Sequence, residues 1–298
     1  MRTTRALLIS LVAVFAFSAI AAVSASATEP VWWVGCHQVT TPGTGAYGNN
    51  TCTTPGGSKE FSRKLLAGEK AFFKSEQASN KVLKAAGVTI TCLKEVDKGE
   101  LIGGKPGKDV TSAKYTECTV TGAAGCKVVE PIELVNVRST LVWKHRGEFL
   151  NELGEKEGAP NGEVLDRFEP AAGGGKVFVQ ITLKECTNPI LNGAFPVENE
   201  VLAEVGFLVG GVFKPANALA APPEEAVNGY LNFPCPPLEE YWTGDELTRA
   251  KHNKTEGTPL FTPLTFLGAK AEYCELTKVW LVTAGGVATG ESWGVTNE

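Results

Sequence analysis

The chain has 298 residues, a formal net charge of −5, and eight Cys, three His and a single Met at position 1. An acidic chain of this kind is a poor partner for nucleic acid or an anionic membrane surface. Its 43% hydrophobic content is too high for disorder and sufficient for a sizeable core.

Arg2 and Arg5 precede an apolar run from Ala6 to Val23, and Ala25-Ser26-Ala27 follows as a small-residue cleavage pattern. Residues 1–27 therefore read as a secretory signal peptide, and the exported chain is expected to be extracellular, with cell-surface association as an option. Two arginines leave with that segment, so the exported chain is more acidic still. No later apolar stretch is long enough to span a bilayer, so no membrane contact is expected after cleavage.

All eight Cys follow the cleavage site: Cys36, Cys52, Cys92, Cys118, Cys126, Cys186, Cys235 and Cys274. An even count in an exported chain reads as four disulfides, and no Cys-x-x-Cys suggests a redox or zinc site. Proximity favours Cys36–Cys52 around a Gly/Thr-rich loop and Cys118–Cys126 around a short flexible segment. Cys92 and Cys186 lie in strand-like runs and form the third expected pair, leaving Cys235–Cys274.

Residues 28–58 are expected to form a small Cys-bracketed module, opened by Trp32-Trp33. A connecting segment follows at 59–87, with a short helix after Ser58 carrying Phe61, Leu65 and Leu66, and a turn at Lys81–Ala86. The remainder, 88–298, reads as a β-rich body, and Pro-rich 215–237 is where it would divide. Val177, Val179, Ile181 and Leu183 give the clearest period-2 run. Further strands are predicted at Val88–Cys92, Val137–Trp143, Gly162–Phe168, Val201–Phe213, Gly229–Phe233, Thr265–Leu276 and Val279–Val282, and one helix at Asp245–His252. With 33 Gly and 17 Pro marking turns, the expected fold is mainly β: an antiparallel sandwich or barrel-like body with few short helices, stapled by disulfides.

Two motif matches fail on context. Gly43-Thr44-Gly45-Ala46-Tyr47-Gly48 has dinucleotide-loop spacing but no strand–helix frame around it. Gly290-Glu291-Ser292-Trp293-Gly294 resembles a nucleophile elbow, yet no His follows it. The simpler reading there is a final edge strand with Trp293 packed inward. His37, His145 and His252 are too widely spaced for a metal motif. No catalytic residue, cofactor or metal ligand is assigned.

Carboxylate pairs leave one catalytic option, since a glycosidase needs two Asp/Glu across a cleft. Glu198 and Glu200 are expected on one strand face, and Glu239, Glu240, Asp245 and Glu246 surround Tyr241 and Trp242. Adjacent Trp32 and Trp33 should face opposite sides of a strand. Trp32, Trp33, Tyr241 and Trp242 are thus the candidate surface or ligand residues.

Cys36, Gly45-Ala46-Tyr47 and Cys52, then Ile90-Thr91-Cys92, Gly99-Glu100-Leu101-Ile102-Gly103, Glu117-Cys118, Cys126, Cys186 and Pro215-Ala216-Asn217 follow in order. This series, over roughly residues 30–220, resembles a group of uncharacterised secreted cysteine-containing proteins of actinobacteria. The resemblance implies a Cys-bracketed leading piece on a β-rich body, and no activity. The expected function is an extracellular binding or structural role, with a cell-wall or other extracellular polymer as partner. The alternative is a secreted carboxylate-dependent hydrolase of carbohydrate.

Overall fold

From Val88 to Cys92 every second side chain is buried, and the alternation resumes after a local irregularity to end at Leu101. One face of this long strand therefore looks inward along its whole length. The computed structural model describes residues 32–39, 41–49, 54–65, 67–144, 149–150, 156–157, 163–173, 175–216, 228–238, 241, 262–290 and 293–296. In chain order the strands are β1 (Trp32–Gln38), β2 (Phe61–Lys64), β3 (Lys70–Gln77), β4 (Lys81–Ala85), β5 (Val88–Ile102), β6 (Lys108–Thr121), β7 (Lys127–Val128) and β8 (Ile132–Trp143). There follow β9 (Phe149–Leu150), β10 (Lys156–Glu157), β11 (Val164–Glu169), β12 (Val177–Lys184), β13 (Gly193–Glu198), β14 (Val201–Val209) and β15 (Val212–Pro215). The chain ends with β16 (Gly229–Phe233), β17 (Thr265–Phe266), β18 (Ala269–Lys270), β19 (Glu272–Val282) and β20 (Trp293–Thr296). The helical content of the described residues is a single 3₁₀ turn at Pro189–Leu191.

The protein is mainly β, and its centre is a closed antiparallel barrel of eight staves. The order around it is β3/β4, β5, β6, β8, β11, β14, β16 and β19, with β11–β14 pairing to continue the ring and β19 returning to β3 and β4. Each stave is the next one along the chain, so the topology is an up-and-down meander. β3 and β4 form one stave along β5, with Ser75 opposite Asp97 and Lys81 opposite Cys92. Ala86 and Gly87 join β4 to β5 with φ of 50° and 79°. Two left-handed residues are what a two-residue hairpin turn matching strand twist requires.

Because the staves alternate in direction, their connections sort to two ends. The links β6–β8, β11–β14 and β16–β19 leave from one end and supply the five-stranded sheet β18-β17-β13-β12-β7. Its Ile181, Leu183, Val197 and Phe266 share one buried cluster with Leu83, Ile90 and Ile132 of the barrel, so this sheet caps that end. At the other end β2-β1-β20 forms a three-stranded sheet. Its Trp33, Trp293 and Val295 cluster with Phe73, Leu101, Leu141 and Val205, plugging the barrel.

Three disulfides are present among the described residues, all toward the capped end. Cys92–Cys118 crosses β5 and β6 at directly opposed positions with Cα atoms 4.0 Å apart. Cys126–Cys186 ties the β6–β8 link to the end of β12. Cys235–Cys274 ties the segment after β16 to β19, as expected from the sequence. The expected Cys118–Cys126 and Cys92–Cys186 pairs are corrected. Opposition across a β ladder places Cys118 on Cys92, and the antiparallel cap places Cys186 against Cys126. Cys36–Cys52 lies outside the described residues.

Two local expectations also change. Phe61–Lys64 is strand β2 rather than helix, because it pairs with β1. Lys81–Ala85 is strand β4 rather than a turn, held between β5 and β19. The helix expected at Asp245–His252 lies outside the described residues. Trp293 does sit inward on an edge strand, as anticipated.

Candidate functional site

The inward positions of several staves are polar. β5 points Glu95 and Asp97 inward between apolar Cys92 and Leu101, and β6 contributes Asp109, Thr111 and Tyr115. β3/β4 supply Ser75 and Lys81, and β19 supplies Tyr273, Glu275 and Thr277. Strand pleating brings these alternate residues together from distant parts of the chain.

Lys81 is the hub of one group. Its Nζ lies 2.6 Å from Glu95 Oε2 and 2.8 Å from Glu275 Oε1, with all three side chains 3% exposed. It also donates to Thr277 Oγ1 at 3.4 Å. The Tyr273 hydroxyl donates to Glu275 Oε2, and the Tyr115 and Tyr273 hydroxyls stand 3.4 Å apart. Burial and the Glu275 charge push the Glu95 carboxyl up to about 9, against the attraction of Lys81. Burial likewise raises both tyrosines well above their usual range, so they remain hydroxyl donors.

Asp97 forms a second group, accepting hydrogen bonds from Ser75 Oγ at 2.8 Å and Thr111 Oγ1 at 2.6 Å. Burial outweighs those two bonds and moves its carboxyl up to about 6. A third group joins Asp109, Ser139 and Asp166 on β6, β8 and β11. Ser139 Oγ donates to Asp109 Oδ2, while Asp109 Oδ1 and both Asp166 oxygens accept from no described donor. The two carboxyls are in hydrogen-bond contact. Burial and the Asp166 charge hold Asp109 well above the carboxylate range, and burial moves Asp166 up to about 6. A proton shared between them satisfies both, as in other carboxyl pairs.

These groups border a cavity of about 140 Å³ between the polar layer and the cap. Most of its wall is apolar, with Ile90 and Ile132 from the barrel and Phe178 and Ile181 from β12. Its polar margin comprises the Lys81 group with Glu95, Glu275, Thr277, Tyr115 and Tyr273, together with Asp97, Thr111 and Asp109. No group of three or more His, Cys, Asp or Glu among the described residues is arranged to hold a metal ion.

The residues singled out from sequence fall elsewhere. Trp33 is 1% exposed and donates from Nε1 to Lys108 O at 2.8 Å inside the plug. Tyr241 is 2% exposed and rests on Val142, Leu165 and Leu202 on the outer face of the barrel. Arg167 Nη1 donates to its hydroxyl at 2.8 Å, and the guanidinium lies 5.3 Å from the ring centroid. Neither side chain is therefore an open contact surface. Glu198 and Glu200 do not share a strand face, since Asn199 turns the chain between them with φ 79°. The side chains of Trp32, Trp242, Glu239, Glu240, Asp245, Glu246 and the three His lie outside the described set.

Sequence reading passed over Lys81, Glu95, Asp97, Asp109, Asp166 and Glu275. The available signal was spacing: Glu95 and Asp97 sit at alternate positions of a strand whose ends bury apolar residues. Compared with known proteins, the chain matches no protein family, no curated protein and no solved structure.

Proposed function

We propose that this protein is an extracellular binding protein that takes a small ligand into the interior of its barrel. The observation that carries this reading is the cavity of about 140 Å³ inside a closed eight-stave barrel. A barrel of this strand number has an interior just large enough for packed side chains or one small ligand. An apolar cavity of about 150 Å³ is known to accept benzene or xenon, so a ligand of single-ring size fits. Three disulfides support an oxidising, extracellular setting.

The same geometry weighs against hydrolysis of a polymer. Burial raises the proton affinity of Glu95, Asp97, Asp109 and Asp166, and these four face the barrel interior, whereas a glycosidase sets two carboxyls across an open cleft. The test is thermal unfolding of the exported chain against a series of small neutral compounds, with toluene as the reference probe. A ligand bound only by the folded state raises Tm as its concentration exceeds Kd. A concentration-dependent rise with toluene is expected. Unchanged Tm across the whole neutral series would overturn the reading.

A further inference from the structure

One side of the cavity is aromatic. Phe168 on β11, Phe233 on β16 and Tyr273 on β19 line it, and Phe178 joins them from β12 in the cap. The ring centroids of Phe168 and Phe233 are 5.5 Å apart with planes tilted by 43°, and those of Phe233 and Tyr273 are 5.1 Å apart at 77°. Aromatic pairs favour tilted and edge-on contacts, because a positive ring edge meets a negative ring face. Phe168 and Phe233 belong to staves on either side of β14, whose small inward Ala203 leaves room for the two rings to meet across it. The Tyr273 hydroxyl donates to Glu275, which holds the last ring of the row in place. A second device turns Phe178 inward. Val177 pairs with Glu198 and Val179 with Val197, so Phe178 is the extra residue of a β-bulge. Alternation alone would send Phe178 and Val179 to opposite faces, yet both line the cavity. Bulges re-aim side chains in this way and are frequent next to active sites.

We infer that the barrel cavity selects an aromatic ring over a saturated ring of the same size, with the guest extending the Phe168–Phe233–Tyr273 row and resting against Phe178. This rests on the container reading above and names the ligand class within its neutral series. A saturated ring fills a similar volume and makes comparable dispersion contacts with Ile90, Ile132 and Ile181. It has no π-system, so the tilted contacts to the row add nothing to its binding. An aromatic guest offers both a ring edge and a ring face, and gains those contacts in addition to its buried area.

The test is calorimetric titration of the exported, disulfide-bonded protein with toluene and with methylcyclohexane, which share one carbon skeleton. Each affinity is taken relative to the compound's own transfer from water to hexadecane, which removes the difference in hydrophobicity. On that scale toluene is expected to bind about 2- to 10-fold more tightly, the range for an aromatic pair beyond its buried area. Phe233→Leu removes the middle ring of the row and should bring the ratio toward one while methylcyclohexane still binds. Phe178→Leu, in the cap rather than in a stave, is the second variant should the first fail to fold, with the same expected fall. A corrected ratio of one or below in the unsubstituted protein, or a toluene preference kept in full by the folded variant, would overturn the aromatic assignment while leaving the container standing. Binding of neither compound would overturn both.

Discussion

The rings of Trp33 and Trp293 meet with centroids 5.6 Å apart and planes tilted by 58°, joining the first described strand to the last. Each indole N–H is satisfied by a barrel carbonyl, Lys108 O for Trp33 and Val279 O for Trp293. Gly229 makes room for this pair, because a Cβ there would lie 2.3 Å from Trp293 Cζ2. Trp293→Ala is expected to destabilise the fold by about 3–5 kcal/mol, and Gly229→Ala by about 1–3 kcal/mol through overpacking. The double variant should be less destabilised than the sum, since removing the indole removes the clash. A denaturant-unfolding cycle measures this, and strict additivity would place the indole away from Gly229.

The disulfides give a second prediction. Peptide mapping without reductant should recover Cys92 linked to Cys118, Cys126 to Cys186 and Cys235 to Cys274. Cys126→Ser with Cys186→Ser should lower stability by about 2–4 kcal/mol. Recovery of a Cys118–Cys126 peptide would contradict the strand opposition between β5 and β6.

Stability should fall as the solution becomes more alkaline. In the fold Asp97 and Asp166 hold a proton up to about pH 6, against an ordinary value of 3.8, and Glu95 holds one up to about 9, against 4.5. Between those limits the folded state binds more protons than the unfolded chain, so raising pH favours unfolding. The stabilisation is full below about pH 4 and is lost as pH rises through 6 for the aspartates, then toward 9 for Glu95. Calorimetry should give a Tm several degrees higher at pH 5 than at pH 8 (about 2–4 °C for each kcal/mol in a chain of this size). Asp166→Asn should shrink that difference. A Tm rising from pH 5 to pH 8 would contradict the buried carboxyl layer.

Lys81 is the cation that Glu95 and Glu275 share. Lys81→Met leaves two buried carboxyls without it and is expected to cost about 3–5 kcal/mol at pH 8. Adding Glu95→Gln and Glu275→Gln should recover most of the loss. A single substitution with no effect would place Lys81 in solvent rather than in the barrel.

Legibility in the sequence followed the chemistry of the inward face. β12 buries Ile181 and Leu183 and the first half of β5 buries Val88, Ile90 and Cys92, in each case at alternate positions, and both read as strands from sequence alone. β3 and β6 did not. β3 turns Ser75 inward, and β6 turns Asp109 and Thr111 inward, so neither carries an apolar period of two. The polar layer that makes the candidate site thus concealed the strands that build it. Closure of the barrel was hidden for another reason. Pairing of β11 with β14 skips the long excursion through β12 and β13, and no local pattern encodes such a return. Strand alternation predicts opposite faces for Trp32 and Trp33, and Trp33 is the inward member of the pair, packed in the plug.

Incubation with isolated cell-wall material should release no soluble sugar, because Glu95, Asp97, Asp109 and Asp166, the carboxyls of the polar layer, face the barrel interior rather than an open cleft. Release that disappears on substituting Glu95 or Asp109 would establish a hydrolase instead.

The central claim is that the barrel interior holds open space able to receive a ligand. Diffraction from crystals pressurised with xenon tests it most directly, because xenon enters dry cavities of this size. The account predicts xenon density bordered by Ile90, Ile132, Phe178 and Ile181. Side chains filling that space, with no xenon between β12 and the staves, would contradict it.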